Sequence, residues 1–287
     1  MSIELTVYAV EQWVKLVATG DFHYTKILDG SVSPSLYPKL REYIGRCCEK
    51  GICESLGRRD GWYRPIQDIP QPVNWQGMNT TADFPVVLPF DLREYVWIDP
   101  GTSIIVAGSK DSGKTQFLMK TVVLNMSNGS IKVVFLTNME EGINQLKRRF
   151  EAMGVPEPAP FAVIQMIDNF HDAIREPNTL YVIDYIDVPE TGEFFMIAPA
   201  LAKIQAKLKN SVAVVGLQKR VGSDWAFGGE QTLKKATLYL AMNPGKLKIV
   251  SAKVPTNPKL LPKNMQWSFS YDKAGAEFID VQRYYGE

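Results

Sequence analysis

The chain has 287 residues, enough for one large domain or two smaller ones. Hydrophobic residues make up 45% of it, and 32 basic side chains balance 31 acidic ones, so any binding to nucleic acid must come from local patches. No apolar run reaches the ~18 residues of a membrane span, and no secretory leader is recognisable. We therefore expect no membrane partner and a cytoplasmic location, or the host cytoplasm for a phage-encoded chain.

Residues 1–64 carry the pattern of a small helical domain. The segment "AVEQWVKLVATGDFHYTKILDG" has a helical period, and "SPSLYPKLREYIGRCCEKGICESLG" opens with capping signals and continues as an amphipathic helix. A turn at Asp60–Gly61 follows. This order resembles a winged helix. Its wing would present four side chains to DNA: Arg58, Arg59, Trp62 and Arg64. A winged helix that docks a protein is the alternative.

The three cysteines, Cys47, Cys48 and Cys53, are predicted to be buried, reduced thiols. A closed zinc site needs four nitrogen or sulfur ligands at defined spacing, and neither His23 nor His171 completes such a pattern.

Residues 65–89 contain five prolines and no helical or strand period, which predicts a linker before a larger domain at 90–287. In the larger domain, helical patterns alternate with the apolar runs "SIIVAG", "KVVFLT", "FAVIQM", "LYVIDYI" and "VAVVGL". Such runs suit strands that are buried on both faces. We predict an α/β fold whose mostly parallel sheet is flanked by helices.

The segment "GSKDSGKT" lies between a predicted strand and a predicted helix, and it matches the phosphate-binding loop G-x-x-x-x-G-K-[ST]. Its glycines let backbone N–H groups approach phosphates, and the following helix points its positive end at them. The sequence therefore predicts binding of ATP and Mg²⁺, with the Lys114 amine on the phosphates and the Thr115 hydroxyl on the metal. The predicted nucleotide-binding residues are Gly108, Ser109, Lys110, Asp111, Ser112, Gly113, Lys114, Thr115 and Gln116.

Hydrolysis needs a carboxylate for the metal and a group that orients water. Asp184, at the end of the run "LYVID", suits the metal. Glu140 and Glu141 follow the second strand and are both candidates for the catalytic base, although acidic residues at a helix start are also favoured by the helix dipole.

These motifs in this order resemble the RecA-like ATPase core of the DnaB-type replicative helicases, over about residues 90–280. In that family the catalytic glutamate precedes a leucine by six residues and an arginine by nine, and Leu146 and Arg149 stand at those distances from Glu140. The resemblance thus implies Glu140 as the base. It also implies Asp184 as the metal-shell aspartate, from "IDYIDV".

The same resemblance implies that Gln218 in "VVGLQKR" senses the phosphate, although its spacing to Arg220 is one residue shorter than is usual in the family. The family also carries a Lys-x-Arg pair that reaches the γ-phosphate of a neighbouring subunit. Lys253 keeps the lysine, and Pro255 stands where the arginine would be. The predicted catalytic set is therefore Glu140, Lys114, Gln218 and Lys253. We expect either that hydrolysis is slow or that another cation, such as Arg220, replaces the missing arginine.

A second DNA-binding element is predicted in "QKRVGSDWAFGGE", directly after the Gln218 strand. Lys219 and Arg220 would contact phosphates, and Trp225 would stack on a base. A surface loop with a half-buried tryptophan is the alternative.

Together these features predict an ATPase that acts on DNA as a ring or filament, alone or with other replication or recombination proteins. We favour an ATP-gated DNA-binding scaffold, such as a loader or a recombination or transposition accessory. A helicase or translocase motor is the main alternative, and a KaiC-like signalling ATPase without nucleic acid is a further one.

Overall fold

The structure is a computed structural model that describes residues 5–18, 20–57, 60–66, 76, 83–138, 142–186, 194–272 and 276–285. The chain divides into two compact units, Met1–Met78 and Asn79–Glu287. Within the described ranges, no helix has the length and apolar character needed to cross a bilayer.

The smaller unit combines two helices with a short antiparallel sheet. Its elements are α1 (Val7–Leu16), β1 (Phe22–His23), α2 (Tyr37–Glu49), β2 (Cys53–Ser55) and β3 (Trp62–Pro65), and the sheet order is β1–β3–β2. The side chain of Thr6 caps α1 by accepting a hydrogen bond from the Ala9 amide at 3.1 Å. The apolar faces of both helices pack into one core, which includes Val14 of α1 and Ile44 of α2.

The turn that leads into β3 requires a glycine at position 61. Gly61 has φ +75°, and a Cβ there would lie 2.6 Å from the His23 ring and 2.8 Å from the Tyr24 ring. Because Gly61 has no side chain, the backbone can pass this close to both rings. The β2–β3 hairpin can therefore pack against the segment that follows β1.

The first described residues of the larger unit, 83–89, were assigned to the linker on sequence grounds. Phe84, Val86 and Leu88 are buried in the core of this unit. The Asn125 side chain binds the backbone of Val87 through two hydrogen bonds, of 2.8 and 2.7 Å.

Beyond this segment the larger unit alternates strands and helices. Its elements are β4 (Ser103–Gly108), α3 (Lys114–Asn125), β5 (Lys132–Thr137), α4 (Ile143–Ala152), β6 (Ala162–Gln165), β7 (Thr179–Ile186), α5 (Ile197–Leu208), β8 (Val212–Gln218), β9 (Ala236–Asn243), β10 (Lys246–Ala252), β11 (Met265–Tyr271) and β12 (Phe278–Tyr285).

Among the described residues these strands form one sheet of nine, in the order β12–β11–β10–β9–β4–β8–β7–β5–β6. The strands from β9 to β6 pair in parallel, and β9 to β12 pair antiparallel. This confirms the predicted α/β fold with a large, mostly parallel sheet between helices. The antiparallel extension from β10 to β12 was not part of the prediction.

The two faces of the sheet are covered by different helices. Successive residues of β4 alternate between the cores: Ile104 and Val106 face α3 and α4, whereas Ile105 and Ala107 face α5. Because side chains alternate between two buried faces, the strand carries apolar residues at every position from Ile104 to Ala107. The carboxyl ends of β4, β5, β7 and β8 meet at one edge of the sheet, where Lys114, Asp184 and Gln218 lie.

Candidate functional site

The loop Gly108–Thr115 joins β4 to the first turn of α3. Gly113 has φ +83° in the left-handed region, and the exposed Asp111 also has positive φ, at 58°. A Cβ on Gly108 would lie 2.5 Å from the Ser112 hydroxyl and 2.7 Å from the Lys114 Cβ. Only glycine therefore fits at position 108 in this close turn. The turn directs the amino end of α3 toward the space over the loop.

Three side chains from α3 and β7 meet beside this loop. The Lys114 ammonium nitrogen lies 3.8 Å from an Asp184 carboxylate oxygen, and the Thr115 hydroxyl donates a hydrogen bond of 3.2 Å to the same oxygen. The ammonium also lies 3.6 Å from the centre of the Tyr185 ring. Lys114 and Asp184 are both buried, at 8% and 7% exposure, so their opposite charges offset the cost of burial.

Asp184 lies two residues before the end of its strand. It pairs with Thr137, the last residue of β5, and its carbonyl accepts a hydrogen bond of 3.3 Å from the Asn138 amide. The chain therefore leaves β5 directly beside Asp184. Glu140 and Glu141, the two candidate bases, lie outside the described residues.

A cavity of about 740 Å³ opens over the loop. It is lined by residues 108–116 and by four side chains from other elements: Arg149, Tyr185, Gln218 and Tyr271. Its volume is in the range of small-molecule sites, which are roughly 300–1,000 Å³.

Three hydroxyls at this cavity are buried and have no hydrogen-bond partner in the described part of the chain: those of Ser109, Ser112 and Tyr271. Buried hydroxyls are normally bonded, so these three mark a place that suits a polar ligand. With the glycine turn and the Lys114 ammonium, they fit a phosphate group. No cluster of three or more His, Cys, Asp or Glu side chains that could hold a metal occurs among the described residues. Mg²⁺ does not need one, because it is held by one or two carboxylates together with phosphates and water.

Gln116 ties the loop helix to two other elements. Its side-chain carbonyl accepts a hydrogen bond of 3.4 Å from the Arg149 guanidinium on α4, and its amide donates to the Ala276 carbonyl before β12. Gln116 itself is 3% exposed. On sequence grounds Arg149 was used only for its spacing to Glu140, and its position at the site was not predicted. Tyr185 lies within the quoted motif "IDYIDV" but was given no role, and Tyr271 was missed because no motif in the sequence marks it.

Gln218 is exposed at the carboxyl end of β8, where its neighbour across the parallel pairing is Gly108. Because β8 lies between β4 and β7, Gln218 stands between the loop and Asp184. Lys253 follows β10, away from the cavity lining, and its ammonium donates a hydrogen bond of 2.9 Å to the Lys234 carbonyl.

Lys219 differs from its expected role as a phosphate contact of DNA, because it is buried at 4% exposure. Its ammonium donates a hydrogen bond of 2.6 Å to the Asn243 side chain, and burial lowers its pKa. Arg220 is exposed at the start of the following loop, and Trp225 is 37% exposed at its end. The Trp225 ring contacts Tyr239 at 6.1 Å between centroids.

In the smaller unit, Arg58 and Arg59 lie outside the described residues. The Trp62 ring meets the His23 ring edge-on at 5.7 Å. Arg64 forms an ion pair with Glu54 on the neighbouring strand, so part of its charge is neutralised.

No protein-family model and no curated protein matches this chain. Among solved structures 513 chains match it. One of these, a crystal structure of the RadB recombinase, has a TM-score of 0.46 and 19% sequence identity, over 62% of this chain and 90% of that chain. The function of this chain is therefore inferred from its own residues.

Proposed function

We propose that the chain binds ATP with Mg²⁺ in the cavity over Gly108–Thr115 and hydrolyses it. The observation that carries this proposal is the meeting of Lys114, Thr115 and Asp184 beside a loop with unpartnered buried hydroxyls. When bound, the nucleotide supplies a phosphoanhydride whose cleavage by water releases free energy.

The proposed roles follow from the charges and positions of the side chains. The Lys114 ammonium binds the β- and γ-phosphates. The backbone amides of the loop, at the start of α3, bind the other phosphate oxygens of the nucleotide. The Thr115 hydroxyl and the Asp184 carboxylate, already 3.2 Å apart, hold the metal. Gln218 at the end of β8 is proposed to contact the γ-phosphate, and Glu140 to take a proton from the attacking water.

We further propose that the larger unit is a RecA-like ATPase of the DnaB-related class that works as a ring or filament. Support comes from the parallel sheet and from Arg149, which the family spacing singled out and which lines the cavity. In such assemblies the site lies between subunits, so Lys253 would act on a neighbour's phosphate.

DNA is the proposed partner. The smaller unit has the order helix, strand, helix and hairpin, which supports a winged-helix domain whose wing carries Arg58, Arg59, Trp62 and Arg64. In the larger unit the loop after β8 offers Arg220 and Trp225 to solvent, a cation and a ring of the kind that contact phosphate and base. Lys219 is not included, because its ammonium is bound inside the protein.

Between a motor and a scaffold we propose the scaffold, in which ATP assembles the protein on DNA and hydrolysis releases it. The feature that favours it is Pro255, which stands where the related motors carry a finger arginine. An arginine finger is worth ~10³–10⁵ in rate, so its loss fits a slow switch better than a motor.

The nucleotide site is tested by Asp184→Asn, which keeps the shape of the side chain and removes its charge. We expect ATP affinity in Mg²⁺ to fall by about tenfold, to the level of the wild-type protein in EDTA. Asp99→Asn, at an exposed position before β4 and outside the cavity lining, is the matched control and should leave affinity unchanged. Equal Mg²⁺ dependence in the Asp184→Asn and wild-type proteins would refute the proposed metal site.

A further inference from the structure

Tyr271, the last residue of β11, reaches across the antiparallel part of the sheet to the loop before α3. A Cβ built on Gly113 would collide with the Tyr271 hydroxyl oxygen, so this hydroxyl stands directly against the Gly113 backbone. In phosphate-binding loops this stretch of backbone faces the phosphates. The hydroxyl is therefore within reach of the group that the loop would hold.

The Tyr271 hydroxyl is buried and has no hydrogen-bond partner among the residues that the structure describes. Its burial raises the pKa of Tyr271 to about 12, and the positive charge of Arg149 opposes part of that rise. The hydroxyl is thus protonated at neutral pH and available as a donor. Folding would not leave a buried donor unsatisfied without cost, which suggests an acceptor supplied by a ligand.

Several contacts hold this tyrosine in place. The Lys120 ammonium on α3 pairs with the Glu277 carboxylate at 2.5 Å, and Gln116 donates to the Ala276 carbonyl next to it. The Tyr271 ring packs on Phe269 at 5.5 Å and on Phe278 at 5.6 Å. The β11–β12 hairpin is thereby fastened to the helix that carries Lys114.

We propose that Tyr271 is a phosphate-contacting residue of the nucleotide site, whose hydroxyl donates a hydrogen bond to the phosphate chain of a bound nucleoside triphosphate. This inference rests on the proposed function and extends it, because it assigns a contact to the antiparallel strands of the sheet. It also gives a role to the hydroxyl that an otherwise aromatic cluster contributes to the cavity lining.

The test is Tyr271→Phe, which removes the hydroxyl and keeps the ring. ATP and inorganic tripolyphosphate are the two probes, measured by isothermal titration calorimetry. Because a hydrogen bond to a charged phosphate is lost, we expect both dissociation constants to rise by roughly tenfold. Tyr284→Phe is the matched control on the neighbouring strand. It removes a hydrogen bond to Gln266 and should leave both constants unchanged.

Four results decide the outcome. Unchanged affinities in Tyr271→Phe would overturn the proposal. A loss for ATP but not for tripolyphosphate, in Tyr271→Phe or Tyr271→Ala, would also overturn it, because the contact would then be to the nucleoside. If Lys114→Ala binds ATP as well as the wild-type protein does, the nucleotide site itself is wrong. Loss in Lys114→Ala without loss in Tyr271→Phe would remove only the present inference.

Discussion

The Thr115 hydroxyl donates a hydrogen bond of 3.2 Å to the Asp184 carboxylate and so joins the first turn of α3 to β7. The Lys114 ammonium lies 3.8 Å from the same carboxylate oxygen. The three residues that a phosphate and its metal would require thus lie together, although α3, β5, α4 and β6 separate the loop from Asp184 in the sequence.

Lys114→Ala should weaken ATP binding by about two orders of magnitude. The substitution removes a charge-assisted hydrogen bond to the phosphates, and such a bond is worth roughly 1.5–3 kcal/mol, or up to about two orders of magnitude in affinity. Calorimetry with ATP and Mg²⁺ measures the effect. Lys203→Ala, which removes an exposed lysine on α5 outside the cavity lining, is the control and should change affinity by less than about threefold.

Glu140→Gln should bind ATP and Mg²⁺ normally and fail to hydrolyse ATP. The amide keeps the size of the side chain but cannot take a proton from water. Release of inorganic phosphate in single-turnover experiments measures the step. Glu141→Gln is the control and should turn over at the wild-type rate. If the two variants exchanged these phenotypes, the alignment of the strand tip would be off by one residue.

Arg220→Ala should reduce the dependence of DNA binding on salt. Each phosphate contact contributes roughly 0.7–0.9 to the slope of log affinity against log salt, so this variant should lose about one unit. Lys219→Ala should leave the slope unchanged, because its ammonium is bound to Asn243 inside the protein. Fluorescence anisotropy over a salt series measures both.

The same measurement tests the wing of the smaller unit. Replacing Arg58 and Arg59 together by Ala should flatten the slope by somewhat less than two units. A slope equal to that of the wild-type protein would show that the smaller unit docks another protein or has no part in DNA binding.

Cys47 should react slowly with iodoacetamide in the folded protein. It is fully buried, and burial raises its pKa to about 11, against a usual value near 9.0. Thiolate is the reactive form, so the folded protein at pH 8 should hold about a hundredfold less of it than the unfolded chain does. Mass spectrometry of the modified peptide, with and without denaturant, checks this. The rate should rise with pH up to the raised pKa, and a folded-state rate that levels off near pH 9 would contradict it.

The central parallel strands could be predicted because both of their faces are buried, which makes runs such as "VAVVGL" apolar at every position. The run "FAVIQM" also predicted a strand, although β6 at the edge of the sheet is exposed. The segment "MQWSFSY" of β11 alternates instead, with Met265, Trp267 and Phe269 inward and the intervening residues partly exposed. That is also a strand pattern, but it was not used in the prediction.

The loop Gly108–Thr115 and Asp184 were recognisable because a local motif and a strand end mark them. Tyr271 was not, because nothing in a local stretch of sequence shows which distant strand will pack against Gly113. The burial of Lys219 was equally hidden. A lysine that follows a strand is usually exposed, and only the fold brings Asn243, at the end of β9, within 2.6 Å of its ammonium.

Sedimentation velocity tests the central claim most directly. The purified chain is mixed with a single-stranded oligonucleotide and Mg²⁺, with and without a non-hydrolysable ATP analogue. An ATP-gated scaffold should form a large complex that contains the DNA only when the analogue is present, and Lys114→Ala should form none. Unchanged sedimentation of chain and DNA with the analogue present would contradict the account.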